Sequence, residues 1–322
     1  MMPRRRPLGG LLLTLALPRL ARAQGFPDRP LRFIVPFAPG GSTDVTGRVL
    51  AEAVGSTLGQ TVVVENRTGA GLVVGTEVAA RAEPDGQTVL VTSNSHAIVP
   101  SLVAKLPYDP VTDFAGVFIP GALPQTVVIN PKLPARTLGE FIALLKAEPG
   151  RYAYASGGIG SAIHLGSLNF LAAAGVEMLH VPYRGGGPAM MSVITGETAM
   201  MIDPVASSAP HIRAGTVRAL ALGAANRSAI LPEVPTAAEA GLPAFRAEAW
   251  IALLVPARTP SERIARLNAL CTEAAQQGAA KLAAIGLQPM PDVATPAQVT
   301  AFVRADIARL GPLLQAAGIR PE

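Results

Sequence analysis

The sequence predicts an α/β fold, because short strand-type runs of apolar residues alternate with helical segments along most of its 322 residues. Hydrophobic residues make up 49% of the chain but aromatic residues only 4%, a composition that suits layers built on Ala, Leu and Val. Glycine-rich turns repeatedly join a strand to the helix that follows it. Strand–helix units of this kind predict mostly parallel sheets covered by helices.

The first 23 residues have the layout of a secretory signal peptide. Three arginines at positions 4–6 precede an apolar stretch at 8–17, and the Ala-Arg-Ala sequence at 21–23 fits the small-x-small cleavage pattern before Gln24. The apolar stretch is too short to span a bilayer. The mature chain is therefore expected to begin near Gln24 after export by the general or the twin-arginine route.

Removal of that segment changes the charge of the chain. The full sequence has 27 Lys and Arg residues and 22 Asp and Glu residues. Five of the basic residues and none of the acidic ones precede position 24, so the mature chain has 22 residues of each sign. Nucleic-acid binding would need a basic excess concentrated on one face. No nucleic acid is therefore expected as a partner.

Metal and redox chemistry find little support in the sequence. Cys271 is the single cysteine, which excludes an internal disulfide, and its apolar position in a helical run favours a buried structural role. The four histidines, His96, His164, His180 and His211, show no metal-ligand spacing. The sequence predicts neither a metal nor another cofactor.

Local patterns locate the secondary-structure elements. Four helix starts carry capping boxes, at Thr137, Thr236, Thr259 and Thr295, and proline stands at the first helical position after the last two. The predicted strands span residues 31–35, 61–65, 88–92, 152–155, 178–181, 199–202 and 217–222.

The turn after the first strand is the most informative segment. Gly40 and Gly41 precede Ser42 and Thr43, which can cap a helix. A glycine turn that opens a helix leaves backbone N–H groups facing outward at the positive end of the helix dipole. The segment lacks the Lys-Ser/Thr of a Walker loop and the G-x-G-x-x-G of dinucleotide sites. The segment predicts either a binding site for a small anion such as a carboxylate or a capped strand-to-helix connection without a ligand.

Two further glycine turns lie later in the chain. Residues 156–161 follow a strand and precede a helix at 164–174, and residues 181–188 form a third turn before another helix. In open α/β sheets, ligands bind outside the carboxyl ends of the strands. Two lobes that present such turns toward each other would hold an anion from both sides.

Several short motifs occur together over the whole mature chain. They are residues 27–30 (PDRP), 35–44 (VPFAPGGSTD), 64–67 (VENR), 84–86 (PDG), 106–109 (LPYD), 180–186 (HVPYRGG) and 231–236 (LPEVPT). In this combination the chain resembles the extracytoplasmic solute-binding proteins of tripartite tricarboxylate transporters, often called the Bug family. The resemblance extends from about Phe26 to the C-terminus.

The resemblance implies a type II periplasmic binding protein fold, an α/β architecture whose two lobes close on a small organic carboxylate. The first lobe is expected at 24–124 and 251–322, and the second at 125–250. Such a receptor is periplasmic, non-catalytic and expected to be a monomer, and it delivers its ligand to a membrane permease. Two alternatives remain open: a receptor that docks to a sensor kinase, and an exported hydrolase using Ser42 or Ser161, although neither serine lies in G-x-S-x-G.

Ligand-binding residues are predicted mainly in two loops that the resemblance assigns to the ligand, with additional polar residues after other strands. Arg184 is a candidate counter-charge for a carboxylate or a solvated turn residue, and an acidic residue such as Asp44 is favourable in a first helical turn in any case. The predicted residues are Phe37, Ala38, Gly40, Gly41, Ser42, Thr43, Asp44, Asn94, His96, Ser156, Gly158, Gly160, Ser161, His164, Tyr183, Arg184 and Asp203.

The chain departs from the family pattern at a few positions. Leu72 and Val73 replace the usual Gly-Asn, and Ile159, Ala162 and Ile163 occupy positions of the second loop that are often polar. Fewer side-chain donors disfavour a highly charged ligand such as citrate.

Overall fold

The structure is a computed structural model that describes residues 26–37, 39–40, 42–69, 72–183, 185–316 and 321. The predicted signal peptide at 1–23 lies outside the described residues, as do the predicted ligand residues Ala38, Gly41 and Arg184. No helix within the described ranges is long and apolar enough to cross a membrane.

The described residues form alternating strands and helices, as the sequence predicts. The strands are β1 (Arg32–Val35), β2 (Val63–Asn66), β3 (Thr88–Ser93), β4 (Phe114–Ile129), β5 (Ala153–Ser156), β6 (Leu179–Pro182), β7 (Met200–Pro204), β8 (Arg218–Leu222) and β9 (Glu248–Pro256). The helices are α1 (Ser42–Leu58), α2 (Val73–Ala80), α3 (Ser95–Ile98), α4 (Leu138–Ala147), α5 (Ala162–Ala174), α6 (Gly186–Thr195), α7 (Val205–Arg213), α8 (Ser261–Gln277), α9 (Ala279–Ala284) and α10 (Pro296–Ala316).

The strands join in one mixed sheet in the order β2-β1-β3-β9-β4-β7-β5-β6, with β8 also paired to β4. The outer pairs are parallel: β1 pairs with β2 and β3, and β5 with β6 and β7. The pairs of β9 with β3 and of β4 with β9, β7 and β8 are antiparallel. The prediction of mostly parallel sheets is therefore wrong for the centre, because the long strands β4 and β9 run against their neighbours there.

Strand β4 connects two parts of the chain. From Phe114 to Pro124 it pairs with β9, and from Gln125 to Ile129 it pairs with β7 and β8. We call residues 26–124 and 251–316 the first part and residues 125–250 the second part. Large fully buried side chains occur in both, such as Phe33 in the first and Phe141 in the second. The lobe boundaries given above remain a prediction.

The capping boxes had different outcomes. The box of Thr137 is complete, with both reciprocal hydrogen bonds to Glu140, and Thr295 exchanges the same bonds with Gln298 at the start of α10. The bonds of Thr236 form as predicted but close a turn instead of a helix. The prediction at Thr259 is wrong: its hydroxyl donates to the carbonyl of Pro256 at 2.7 Å, and Pro260 occupies the N-cap of α8.

Candidate ligand-binding site

A cavity of about 710 Å³ lies between the start of α1 and the second part of the chain. Three predicted ligand residues, Gly40, Ser42 and Asp203, border it, which makes it the candidate site. Its lining residues are Gly40, Ser42, Val45, Thr46, Leu123, Ala284 and Ile285 from the first part, and Ile163, Gly186, Gly187, Met190, Asp203, Pro204, Ala206, Ser207 and His211 from the second.

Gly40 and Ser42 bring the first glycine turn to the cavity wall. Gly40 has a φ of +84°, a left-handed conformation that favours glycine. A Cβ atom at this position would have no atom within 4 Å, so the space beside Gly40 is open. The N–H of Gly40, however, donates to Oδ2 of Asp44 at 2.8 Å. Gly40 therefore permits a close approach to the backbone, although its own N–H already has a partner.

The carboxylate of Asp44 stabilises the first turn from within the protein. It is buried and also accepts hydrogen bonds from Nε of Arg48 at 3.1 Å and from Nδ2 of Asn66 at 2.8 Å. Burial would raise the pKa of Asp44, but the hydrogen bonds from Arg48, Gly40 and Asn66 outweigh it, and the pKa is lowered. These contacts give Asp44 a structural role, and the residue does not border the cavity.

Phe37 and Thr43, also predicted in this loop, lie outside the cavity wall. The half-buried ring of Phe37 packs against the core, and its carbonyl accepts from Nδ2 of Asn66 at 3.0 Å. Thr43 is buried on the inner face of α1.

Three backbone N–H groups of the second glycine turn donate within the turn. The N–H of Gly158 donates to Oγ of Ser156 at 3.1 Å, and the N–H of Ser161 donates to the carbonyl of Gly158 at 3.1 Å. The N–H of Gly160 donates to Nδ1 of His164 at 3.2 Å. None of these five residues borders the cavity. Three donors of the second turn are therefore already bonded within the turn, and its position opposite the first turn across a ligand stays a prediction.

A stack of aromatic rings supports the second turn. The rings of His164 and His180 lie 4.1 Å apart, and the ring of His180 lies 4.8 Å from that of Tyr154. Burial, together with the charge of His180, lowers the pKa of His164 to about 4, and burial lowers the pKa of His180. Both imidazoles are therefore neutral near pH 7, and Nδ1 of His164 is free of a proton to accept from Gly160.

The third glycine turn does reach the cavity. Gly186 and Gly187, at the start of α6, border it. A Cβ atom on Gly186 would lie 3.2 Å from Cδ1 of Ile163 and 3.8 Å from Oδ1 of Asp203, so the three residues form one wall. The predicted ligand residue Tyr183 is half-buried against the core beside this turn and does not border the cavity.

Asp203 contributes a buried acidic group to the same wall. Its side chain is 2% exposed, and Oδ2 accepts a hydrogen bond from Oγ of Ser207 at 2.5 Å. Burial raises the pKa of Asp203 to about 7, although the Ser207 bond opposes that shift. The carboxyl group can therefore take up or release a proton close to neutral pH.

Asn94 and His96 lie away from this cavity. His96 is fully buried in the first part, with Nε2 3.0 Å from the carbonyl of Pro110 and its ring against Phe114. Burial lowers the pKa of His96 to about 4, so this residue is a neutral core histidine.

Asn94 instead borders a second cavity of about 580 Å³ between α5 and α10. Two of the charged groups there, Asp306 and Arg309, are engaged with each other, because Asp306 accepts from Nη2 of Arg309 at 2.6 Å. Asp306 also accepts from Nε1 of Trp250 at 2.8 Å. Trp250 is therefore a packing residue of β9.

Thr46, Met190, Ser207 and His211 border the candidate site but were not among the predicted ligand residues. A spacing of four residues could have indicated three of them, because Thr46 follows Ser42 by four and Ser207 and His211 follow Asp203 by four and eight. Met190 carries no such signal. Among the described residues, no group of three or more His, Cys, Asp or Glu could hold a metal ion.

The chain is similar to known receptors over most of its length. Residues 46–319 match the model of the tripartite tricarboxylate transporter family receptor. Protein BugT of Bordetella pertussis is 38% identical over 315 residues, which cover 97% of each chain.

Solved structures agree with this match. The periplasmic binding protein BugD is 31% identical, with a TM-score of 0.77 over 92% of this chain and 100% of that one. The protein Rpa4515 of R. palustris, solved with adipate, is 31% identical, with a TM-score of 0.80 over 92% of this chain and 100% of that one. These likenesses confirm the two-lobed periplasmic binding protein fold class. The chain belongs to the receptor family of the tripartite tricarboxylate transporters, which includes the Bug proteins.

Proposed function

We propose that this protein captures a small organic carboxylate in the cavity of about 710 Å³ and delivers it to the membrane permease of a tripartite tricarboxylate transporter. The observation that carries the proposal is that Gly40 and Ser42, at the start of a 17-residue helix, face residues of the second part across one cavity. The 31% identical relative solved with adipate supports a carboxylate as the ligand chemistry.

The start of α1 is the group that would hold the carboxylate. The first N–H groups of a helix have no intrahelical partner, and the helix dipole favours an anion there. Ser42 is the first residue of α1 and is exposed at the cavity wall, and the open space at Gly40 lets an anion approach the backbone. The opposite wall includes the apolar side chain of Ile163 and, beside Gly186, the acidic Asp203, so we expect the carboxylate to bind chiefly to the first turn.

We also propose that the chain is exported, loses residues 1–23 and works in the periplasm as a monomer whose lobes, at 24–124 with 251–322 and at 125–250, close on the ligand. Membership of the receptor family and similarity to the periplasmic protein BugD support this location. Co-purification with permease subunits would support delivery, whereas recovery with a sensor-kinase ectodomain would favour the signalling alternative.

We favour binding over hydrolysis. Oγ of Ser156 lies 2.7 Å from Nε2 of His180, a pairing that resembles a nucleophile and its base. Ser156, however, is fully buried and does not border the cavity. Among the described residues, neither Ser42 nor Ser161 forms a hydrogen bond to a His, Asp or Glu side chain. Incubation with model esters should show no turnover beyond that of buffer.

Calorimetric titration of the mature protein with mono-, di- and tricarboxylates tests the proposal. Ser42→Ala should weaken binding of the tightest ligand by only about 0.5–1.5 kcal/mol, the contribution of one neutral hydrogen bond. Gly40→Val should abolish binding, because a branched side chain would fill the open space where the anion meets the backbone.

Gly59→Val is the matched control for Gly40→Val. Gly59 also has a positive φ, of +66°, and open space around its Cβ position, but it follows the far end of α1. It should lose stability while keeping wild-type affinity. A folded Gly40→Val protein that binds the carboxylate as the wild type does would refute the proposed carboxylate site at the first glycine turn.

A further inference from the structure

We propose that the ligand of this cavity carries a single carboxylate on an uncharged, mainly apolar body, and that the second part of the chain discriminates against a second carboxylate. This inference rests on the proposed function and narrows its ligand class.

The polar end of the cavity can accommodate one carboxylate. It consists of Gly40 and Ser42 at the start of α1 together with Thr46 one turn further along. Thr46 is 0% exposed, and its Oγ1 has no hydrogen-bond partner among the described residues. A buried hydroxyl without a partner is costly. Because no surface of Thr46 is exposed, its side chain would have to rotate toward the cavity to donate to a ligand oxygen. The helix start points to the anionic group, and this hydroxyl is a second donor within one turn of it.

The rest of the wall is mainly apolar. Val45, Leu123 and Ile285 contribute from the first part, and Ile163 and Met190 from the second. An apolar ligand body gains free energy by leaving water against these side chains. None of these five side chains is a hydrogen-bond donor, so a second ionised group placed against them would lose its hydration without compensation from them.

The acidic group on the opposite wall adds an electrostatic penalty. Asp203 stands beside Gly186 and Ile163, and its Oδ2 already accepts from Ser207. A second carboxylate next to it would meet a like charge unless Asp203 bound a proton first. No Lys or Arg of the described residues borders the cavity to offset that repulsion, and His211 is the other titratable side chain there.

Matched pairs of acids test the inference. We would titrate the mature protein at pH 7.5 with hexanoate and adipate, which share a six-carbon chain, and with benzoate and terephthalate, which share a ring. In each pair that binds, the monocarboxylate should bind at least tenfold more tightly than its dicarboxylate. Equal or tighter binding of a dicarboxylate, for example because Arg184 supplies a counter-charge, would overturn the inference.

Citrate and malate complete the panel and separate the two levels of proposal. If these polyacids bind and the monocarboxylates do not, the proposed monocarboxylate class is wrong, but the proposal that the protein is a carboxylate receptor still holds. No binding of any acid would overturn the proposed function as well.

Two variants test the assignment to individual residues. Asp203→Asn keeps the side-chain shape and should reduce the hexanoate-to-adipate preference at least threefold, whereas Asp292→Asn, a matched charge removal at an exposed position outside the cavity, should leave it unchanged. Ile163→Thr should weaken hexanoate more than acetate, because hexanoate has the longer apolar body. Circular dichroism checks that each variant folds. If Asp203→Asn does not fold, the affinities of the wild type for the matched acids and those of Ile163→Thr still test the inference.

Discussion

Replacing Gly160 by alanine would place a methyl group where the side chain of Leu102 already lies. A Cβ atom built on Gly160 would be 2.1 Å from Cδ1 of Leu102. Gly160 also has a φ of +74°, in the left-handed region. Because Leu102 belongs to the first part of the chain and Gly160 to the second, this contact joins the two parts beside the second glycine turn.

The substitution has two separate costs. A non-glycine residue in the left-handed region costs about 1–2 kcal/mol. The overlap adds about 1 kcal/mol, the low end of the cost of overpacking, because Cδ1 is the far end of a half-buried side chain that can rotate away, so we expect Gly160→Ala to lower the free energy of unfolding by about 2–3 kcal/mol. Gly175→Ala is the matched control, because Gly175 has a φ of +60° and no atom within 4 Å of its Cβ position. Gly175→Ala should lower the free energy of unfolding by the cost of the left-handed backbone alone.

Urea unfolding of the ligand-free mature protein measures these differences. Leu102→Ala removes the δ-carbons and should relieve the overlap. The double variant should therefore be more stable, by about 1 kcal/mol, than the sum of the two single effects predicts. The proposed contact would be refuted if Gly160→Ala lost no more stability than Gly175→Ala and its coupling to Leu102→Ala stayed below about 0.5 kcal/mol.

The remaining predictions concern two titrating side chains and the N-terminus. Burial raises the pKa of Asp203 to about 7, so its contribution to stability is full below about pH 4 and is lost as the pH rises through 7. In urea unfolding at pH 8, Asp203→Asn should therefore be more stable than the wild type by up to about 4 kcal/mol. The free energies of unfolding of the two proteins should become equal near pH 4. Ser207 and His211 also face the cavity, but they are present in both proteins. The pKa of His164 is lowered to about 4, so its contribution is present above about pH 6.5 and is lost as the pH falls toward 4. In the same assay, the free energy of unfolding of His164→Gln should fall less between pH 6.5 and pH 4 than that of the wild type. An equal fall in the two proteins would contradict the lowered pKa of His164. Intact-mass analysis of exported protein should find the N-terminus at Gln24 or within a few residues of it, and material retaining the arginines at 4–6 would contradict the signal peptide.

Local patterns predicted the short strands well, because each one is a brief apolar run bounded by turn residues. The predicted strand at 217–222, for example, corresponds to β8 at Arg218–Leu222. The 16-residue strand β4 had no such signal, since all but one of its residues are buried and it contains two prolines and two interior glycines. Tertiary contacts explain both glycines: a Cβ on Gly116 would lie 2.6 Å from the backbone N of Thr300, and one on Gly121 would lie 2.2 Å from the carbonyl of Gln288.

The helix-capping predictions show how a tertiary contact overrides a local pattern. Thr137 and Thr259 have the same sequence signature, each with Glu three residues later. The hydroxyl of Thr259 instead donates to the carbonyl of Pro256, at the end of β9. The sequence does not reveal that β9 ends there, so the alternative acceptor could not be anticipated.

The three glycine turns have similar sequences and different fates, and the difference lies in what surrounds each glycine. The space beside Gly40 is open to the cavity, whereas the corresponding space at Gly160 is filled by Leu102, and the N–H of Gly160 bonds to His164. Gly186 opens to the cavity but stands beside Asp203, which disfavours an anion. A glycine turn at a helix start can hold an anion only where backbone donors remain free and neither a side chain nor a negative charge occupies the approach. The sequence identifies the turns, but the long-range packing that brings Leu102 to one and Asp203 to another decides between them.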